Sequence, residues 1–414
     1  MRRKEIFETY ESEVRSYCRS FPTVFTKAKG SIITDEIGTD YIDFFCGAGS
    51  VNYGHNVDYI KEKLIDYLQN DGILHALDMM TEKKADFIEY FEKEILIPRG
   101  LNYKIMFTGP TGTNAVEAAL KLARKVKKRE NIWALMGCFH GMTLGALALT
   151  SDRDSRRGAN VSLPYVTHIP APYMFPNLNT IEYMETLITD DHSGVEIPAA
   201  LILETVQAEG GIHVFSEEWL EDVRAFCDKY DILLIVDDIQ VGCARTGTFF
   251  SFQRANIVPD MVIMSKSIGG YGLPFSLTLF KSELDIWTPG EHNGTFRGNQ
   301  LSMIAAKAGL EFMLKNKIER EVKRKEKIIK NYLETQITSI NDDIEVRGIG
   351  CIWGIDVKDE NKALAITKQC FDNGLIIERA GRKNSVIKLM PALTISDELL
   401  MKGLDIIKNA VKAQ

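Results

Sequence analysis

The sequence predicts an α/β fold, with a large domain on a mostly parallel sheet and a smaller α+β lobe. Three observations predict it. Short apolar runs, at 199–203, 232–236 and 261–264, stop abruptly at polar or glycine-rich residues. Amphipathic stretches such as 115–128 and 216–230 separate such runs, which is the alternation of βαβ units. The chain has 414 residues, 45% of them hydrophobic, enough to bury a sheet on both faces and still build a second lobe.

Taken in order, residues 21–25 read as an arm leading into the fold, and 31–34 with 41–44 as a short hairpin. Gly47, Ala48, Gly49 and Ser50, then Tyr53, Gly54 and His55, mark backbone that passes close to something, or simply a tight loop. Helices are expected over 59–69 and 81–95, the second capped by Thr81. A strand over 104–107 runs into Gly109, Pro110, Thr111, Gly112, Thr113 and Asn114 before a strong helix over 115–128. That order offers backbone N–H groups and hydroxyls at a helix N-terminus: an anion cradle at Gly112, Thr113 and Asn114, or a capped helix start. It is neither a Walker loop nor a GxGxxG motif.

A strand over 131–136 leads to Phe139, His140 and Gly141 in a loop, where an aromatic suits stacking on a flat ligand. His140 is assigned no acid–base role. Residues 151–198 are partly irregular, with a helix near 180–187. The strand over 199–203 ends at Glu204 and Glu209, which read as an acid–base pair or, preferably, as carboxylates paired with cations. A serine cap opens the helix over 216–230.

The most apolar strand, 232–236, ends in Asp237, Asp238, Ile239 and Gln240. An aspartate there is desolvated unless a permanent cation faces it, and a protonated pyridine nitrogen is such a partner. The next strand delivers Lys266 into a turn with Gly269, Gly270 and Gly272. A lysine at that point either snorkels out or loses its charge by forming an imine with an aldehyde. The spacing, 266 − 237 = 29 residues, fits strand, loop and adjacent strand. A strand over 275–280 follows, then a turn at Gly294 and Thr295 opening a helix near Leu301. Residues 311–337 read as a largely charged helix, 345–356, 361–373, 374–377 and 386–391 as the small lobe, and 396–412 as a closing helix. The expected division is 1–60 as N-terminal arm and part of the small domain, 61–305 as the large domain, and 306–414 as the C-terminal small domain.

The net charge of -7 and the lack of long basic runs argue against nucleic acid. Seven scattered cysteines with no CxxC spacing argue for reduced thiols in the cytoplasm, with no disulfide framework and no metal. The first residues lack the apolar core of a signal peptide, and no apolar run reaches membrane-spanning length.

A lysine for an imine, an aspartate for a pyridinium, a phosphate loop and a stacking aromatic together describe a pyridoxal phosphate site. With Gly112-Thr113-Asn114, Phe139-His140-Gly141, Glu204 to Gly211, Val236 to Gly247, Ser265-Lys266 and Gly294 to Asn299, the chain resembles the class III (ornithine-type) aminotransferases over essentially its full length. Arg19 to Gly30, Gly47 to His55 and Gly109 to Ala119 are most similar to the diaminobutyrate–2-oxoglutarate branch, of the ectoine-pathway type.

The resemblance implies PLP fold type I, with a mostly parallel seven-stranded sheet, and pyridoxal 5'-phosphate as cofactor. It implies amino acid and 2-oxo acid substrates, and a homodimer or larger assembly with shared active sites. Lys266 would bind the cofactor covalently and then shuttle a proton, and Asp237 would keep the pyridine nitrogen protonated. Gln240 would lie near the ring hydroxyl and Glu204 near the cofactor edge, with Phe139 stacked on the ring and His140 beside it. Gly112, Thr113 and Asn114 would hold the phosphate, joined by Thr295 from the other subunit. Glu209 matches the family's switch carboxylate. Lys388 stands where the family usually has arginine; it gives a point charge in place of a two-pronged grip, which puts the switch role in doubt. Ala48 stands where ornithine-type members often carry a substrate-facing tyrosine. The expected reaction is L-glutamate plus L-aspartate 4-semialdehyde to 2-oxoglutarate plus L-2,4-diaminobutyrate. The rivals are another class III transaminase (ornithine, acetylornithine or 4-aminobutyrate), an aminomutase, and a non-catalytic binding protein.

Overall fold

Seven strands form the central sheet of the computed structural model, which describes residues 3–414; Met1 and Arg2 of the expected N-terminal arm lie outside the described residues. The spatial order is Tyr103–Phe107, Leu277–Lys281, Met261–Met264, Leu233–Asp237, Ala200–Leu203, Ile132–Leu135 and Val166–Ile169. Leu277–Lys281 runs against both its neighbours, and every other pairing is parallel. These strands read as continuous apolar runs because both faces are covered. Leu233 and Ile235 pack toward Val116, Leu120 and Ala123 of helix Gly112–Lys127. Leu234 and Val236 pack on the opposite side, with Val223 and Phe226 of helix Glu217–Lys229.

All the parallel strands deliver their carboxyl ends to one edge. The loops after Leu135, Leu203, Asp237 and Met264 therefore gather there, where open α/β sheets place their ligands.

Besides a two-stranded ribbon of Val206–Gln207 and His213–Val214, two four-stranded sheets flank this frame. Ile32–Asp35 and Asp40–Asp43 form the expected hairpin. Leu375–Ile376 pairs with its second strand in parallel, tying the C-terminal part of the chain to the N-terminal part. The expected arm differs in part: Phe25–Lys29 is itself a strand, paired antiparallel with Ile32–Asp35. The C-terminal sheet, in the order Glu345–Ile349, Ile352–Asp356, Val386–Leu389, Glu378–Ala380, is wholly antiparallel. Helices Glu360–Asp372 and Asp397–Lys412 belong to the same lobe.

The single charged helix expected over 311–337 is instead two. Gln300–Lys315 stops at Asn316, whose side-chain N–H donates to the Phe312 carbonyl (2.7 Å). Lys317 is left-handed (φ 50°), and Ile318–Tyr332 starts in a new direction that buries Ile318, Val322 and Ile329. Among the described residues no helix is long and apolar enough to cross a membrane.

Arg245 pins the lobes together. It is wholly buried, and its guanidinium donates to the Cys351 carbonyl (2.9 Å), the Pro391 carbonyl (2.5 Å) and Asn52 Oδ1 (2.5 Å). Arg245→Met keeps the stem and strips all three acceptors of this donor. Each buried group left unsatisfied costs about 1–3 kcal/mol, so the thermal unfolding midpoint should fall by roughly 5–10 °C in a calorimetric scan.

Candidate active site

Strand pairing sets the centre of the site. Asp237 lies opposite Ile263 on the adjacent parallel strand, and Lys266 begins the turn three residues later. Both side chains line a cleft with about 600 Å³ of space, part of it open to solvent.

Lys266 holds a left-handed backbone (φ 53°), which costs a non-glycine residue about 1 kcal/mol or more and recurs where function demands a particular aim. Its turn is fastened on both sides: Ser265 Oγ donates to the Phe275 carbonyl (2.8 Å), and Ser267 Oγ donates to the Gly49 carbonyl. Gly270 has to be glycine, because a Cβ there would meet the Ala305 carbonyl oxygen at 2.0 Å. Burial holds the Lys266 amine below the ordinary lysine range; Glu209 opposes this and Lys388 reinforces it.

Asp237 is 3% exposed. Its Oδ1 accepts the Ile239 N–H (3.1 Å), and its Oδ2 lies 2.7 Å from His140 Nδ1. Burial works against a charge on His140, but Cys138 and the bond to Asp237 outweigh it and hold the imidazole well above its usual range. His140 thus orients Asp237.

At the start of helix Gly112–Lys127, Gly112 and Thr113 line the cleft beside Gly141. A Cβ on Gly112 would come within 2.7 Å of Ile239 Cδ1, whose side chain would have to shift to admit it. Asn114 Oδ1 accepts from the Thr111 N–H (3.2 Å) and Thr111 Oγ1 (2.8 Å), capping the helix. Thr295, in the short turn Thr295–Gly298, is exposed and does not line this cleft.

Gln240 Nε2 donates to the Ala48 carbonyl (3.0 Å) and to Glu209 Oε1 (3.1 Å). Gln240 Oε1 is buried and has no partner among the described residues, so a ligand hydroxyl can donate to it. Ala48 sits in a left-handed run with Cys46 and Gly47 and contributes its carbonyl to this network.

Glu204 corrects an expectation. Among the described residues it meets no cation directly but accepts the backbone N–H of Phe139 (3.0 Å) and of Ala208 (3.3 Å). Burial, against the opposing charge of His140, pushes its carboxyl up to about 7. Its work is to hold the Phe139 loop over the cleft. Glu209 does pair: Lys388 Nζ lies 2.5 Å from its Oε1, and Lys388 is wholly buried.

Two residues of the site escape sequence reading. Glu378 Oε1 lies 2.7 Å from Lys388 Nζ on its other side. Tyr17 brings the N-terminal segment to the same cluster; burial first, then the negative charges of Glu378 and Glu209, push its phenol up to about 12. A signal for Glu378 was available. Short strands flanking Gly381 form a hairpin whose register sets Glu378 opposite Lys388.

The donor set fits pyridoxal phosphate. A readily deprotonated lysine, a clamped carboxylate, an orphaned acceptor and a glycine-cleared helix start surround one cleft that has the half-buried Phe139 in its wall.

The aminotransferase class-III family model matches residues 15–411. The diaminobutyrate–2-oxoglutarate transaminase of Halalkalibacterium halodurans is 51% identical over 410 residues, covering 99% of this chain and 96% of that protein. That of Streptomyces coelicolor is 51% identical over 413 residues, covering 98% and 97%. Among solved structures, an S-selective transaminase from Arthrobacter sp. superposes with a TM-score of 0.89 at 22% identity, covering 99% of this chain and 97% of that one. The ornithine aminotransferase of Toxoplasma gondii superposes with a TM-score of 0.87 at 23% identity, covering 100% and 96%. At such identities the two structures show the shared fold.

Proposed function

The chain belongs to the class III aminotransferases, and from that premise we propose that it transfers an amino group from L-glutamate to C4 of L-aspartate 4-semialdehyde. The products are 2-oxoglutarate and L-2,4-diaminobutyrate, formed in two half-reactions. The observation that carries the chemistry is the delivery of Lys266 and Asp237 from adjacent parallel strands into one cleft. The named relatives, 51% identical over nearly the whole chain, support the substrate pair.

Pyridoxal phosphate, when bound, supplies the aldehyde that takes up the amino group and a ring that accepts electrons from the substrate carbon. Gly112 and Thr113 would hold its phosphate, Gln240 its ring hydroxyl, Phe139 one ring face and Lys266 its aldehyde carbon. Asp237, steadied by His140, keeps the proton on the ring nitrogen. Lys266 removes the proton from glutamate Cα and, in the second half-reaction, delivers one to C4 of the product; its buried amine deprotonates readily enough for both tasks. Lys388 binds the substrate carboxylate remote from the reacting carbon; burial works against its charge, but the two flanking carboxylates, Glu209 and Glu378, outweigh it and keep it cationic.

The same reading places the enzyme in the cytoplasm, as a homodimer or larger assembly in which Thr295 completes the phosphate site of the neighbouring subunit; its exposure on a surface turn supports this. The large domain would span 61–305, between the N-terminal 1–60 and the C-terminal 306–414.

Incubating the cofactor-loaded enzyme with L-glutamate and L-aspartate 4-semialdehyde should release 2-oxoglutarate and L-2,4-diaminobutyrate in equal amounts, read by mass spectrometry. Rearranged product without 2-oxoglutarate would identify an aminomutase instead, and no product would sink the substrate pair.

A further inference from the structure

Beside Lys266, whose amine burial holds below the ordinary lysine range, three charged side chains converge, and among themselves they do not balance. Lys388 Nζ is 2.5 Å from Glu209 Oε1 and 2.7 Å from Glu378 Oε1, so two carboxylates meet one ammonium. The Glu378 side chain is only 10% exposed. Its Oε1 lies close to Lys388 but outside hydrogen-bonding geometry, and it has no hydrogen-bond partner among the described residues. A buried carboxylate oxygen with an ion pair but no hydrogen bond is short of a donor, so the cluster is built to receive a further one, and a cationic one by charge. The other two members have other duties. Glu209 is also bonded to Gln240 (3.1 Å), and Lys388 sits wholly buried at the centre.

The substrates proposed above differ at this end. L-2,4-Diaminobutyrate reacts at its C4 amine, and its far end carries an ammonium and a carboxylate on one carbon. 4-Aminobutyrate is the same molecule without that ammonium. Glutamate, which reacts at its α-amine, presents a carboxylate alone.

Resting on that substrate reading, we propose that Glu378 is the specificity-determining residue of this site: it receives the α-ammonium of the diamino acid while Lys388 holds the adjacent carboxylate. The hairpin register that sets Glu378 directly opposite Lys388 spaces an acceptor and a cation side by side, which matches a zwitterionic carbon. Burial and Glu209 push the Glu378 carboxyl toward the protonated form, and Lys388 and Lys266 only partly offset them, which accords with a site that is short of positive charge. Tyr17 lies against the same cluster and adds no positive charge to it.

The test compares L-2,4-diaminobutyrate with 4-aminobutyrate on the same cofactor-loaded protein. In wild type, kcat/KM of the half-reaction should favour the diamino acid strongly. Glu378→Gln keeps the shape and removes the charge; the preference should shrink on the order of 100-fold, the usual scale for losing one partner of a buried charge pair. Glu378→Asp, which keeps the charge but withdraws it, should fall between and serves if the glutamine variant folds poorly. The same shift should appear without turnover, as the ratio of the two dissociation constants measured calorimetrically in the Lys266→Ala background with and without Glu378→Gln.

Equal losses for both amines would mean that Glu378 acts only through Lys388, and an unmoved ratio would mean that it does not act at all; either overturns the proposal. A wild-type enzyme that ignores L-2,4-diaminobutyrate would remove the substrate reading and this inference with it. A wild-type preference that survives Glu378→Gln removes this inference alone.

Discussion

Lys266→Ala is expected to abolish multiple turnover, with a rate loss of about 10,000-fold or more. A positioned general base alone contributes up to about that factor, and this lysine also anchors the cofactor. The structure gives the substitution little chance of rescue. Lys388, wholly buried, is the lysine that shares this charged cluster, and Glu209 and Glu378 hold it cationic, so it makes a poor base. The fold should tolerate the change, because the Lys266 side chain makes no hydrogen bond among the described residues and alanine keeps the same Cβ, so the left-handed backbone is no more crowded than before. The variant should therefore be soluble and bind the cofactor weakly, without the absorbance of the lysine-bound form. Multiple turnover in a stopped-flow assay would remove Lys266 from the mechanism.

Asp237→Asn should retain the cofactor and slow proton abstraction on the order of 1,000-fold, the scale seen when one preorganised electrostatic partner is lost. Asparagine can still accept from the Ile239 N–H and still lie against His140, so the geometry should persist. What disappears is the negative charge that keeps a proton on the ring nitrogen. The half-reaction with glutamate deuterated at Cα separates the two effects: a large isotope effect with unchanged cofactor affinity is expected. A near-normal rate would show that the ring works unprotonated here.

The frame of this site was legible because its key residues stand at the ends of apolar strands. Ile232 to Asp237 and Met261 to Lys266 announce their own geometry, and the gap of 29 residues suffices for a neighbouring parallel strand. Residues that act across elements were harder to see. Tyr17 and Arg245 owe their roles to partners far away in sequence, and Glu378 shows itself only through the hairpin register that sets it opposite Lys388. Asn114 stands in the phosphate-like motif, and its side-chain oxygen accepts from Thr111 one turn back. Glu204 looked like a partner for a cation, but the nearest unsatisfied donors were backbone N–H groups, and these took it. The break at Lys317 was hidden because the charged surface pattern continues on both sides, while the buried stripe restarts at Ile318.

The central claim is that Lys266 carries the cofactor. Borohydride reduction of the wild-type holoenzyme, followed by peptide mapping, tests it most directly. The cofactor mass should appear on the peptide containing Lys266 and on no other. Cofactor mass on the peptide containing Lys388, the other lysine of this cluster, or on no lysine at all, would contradict the account.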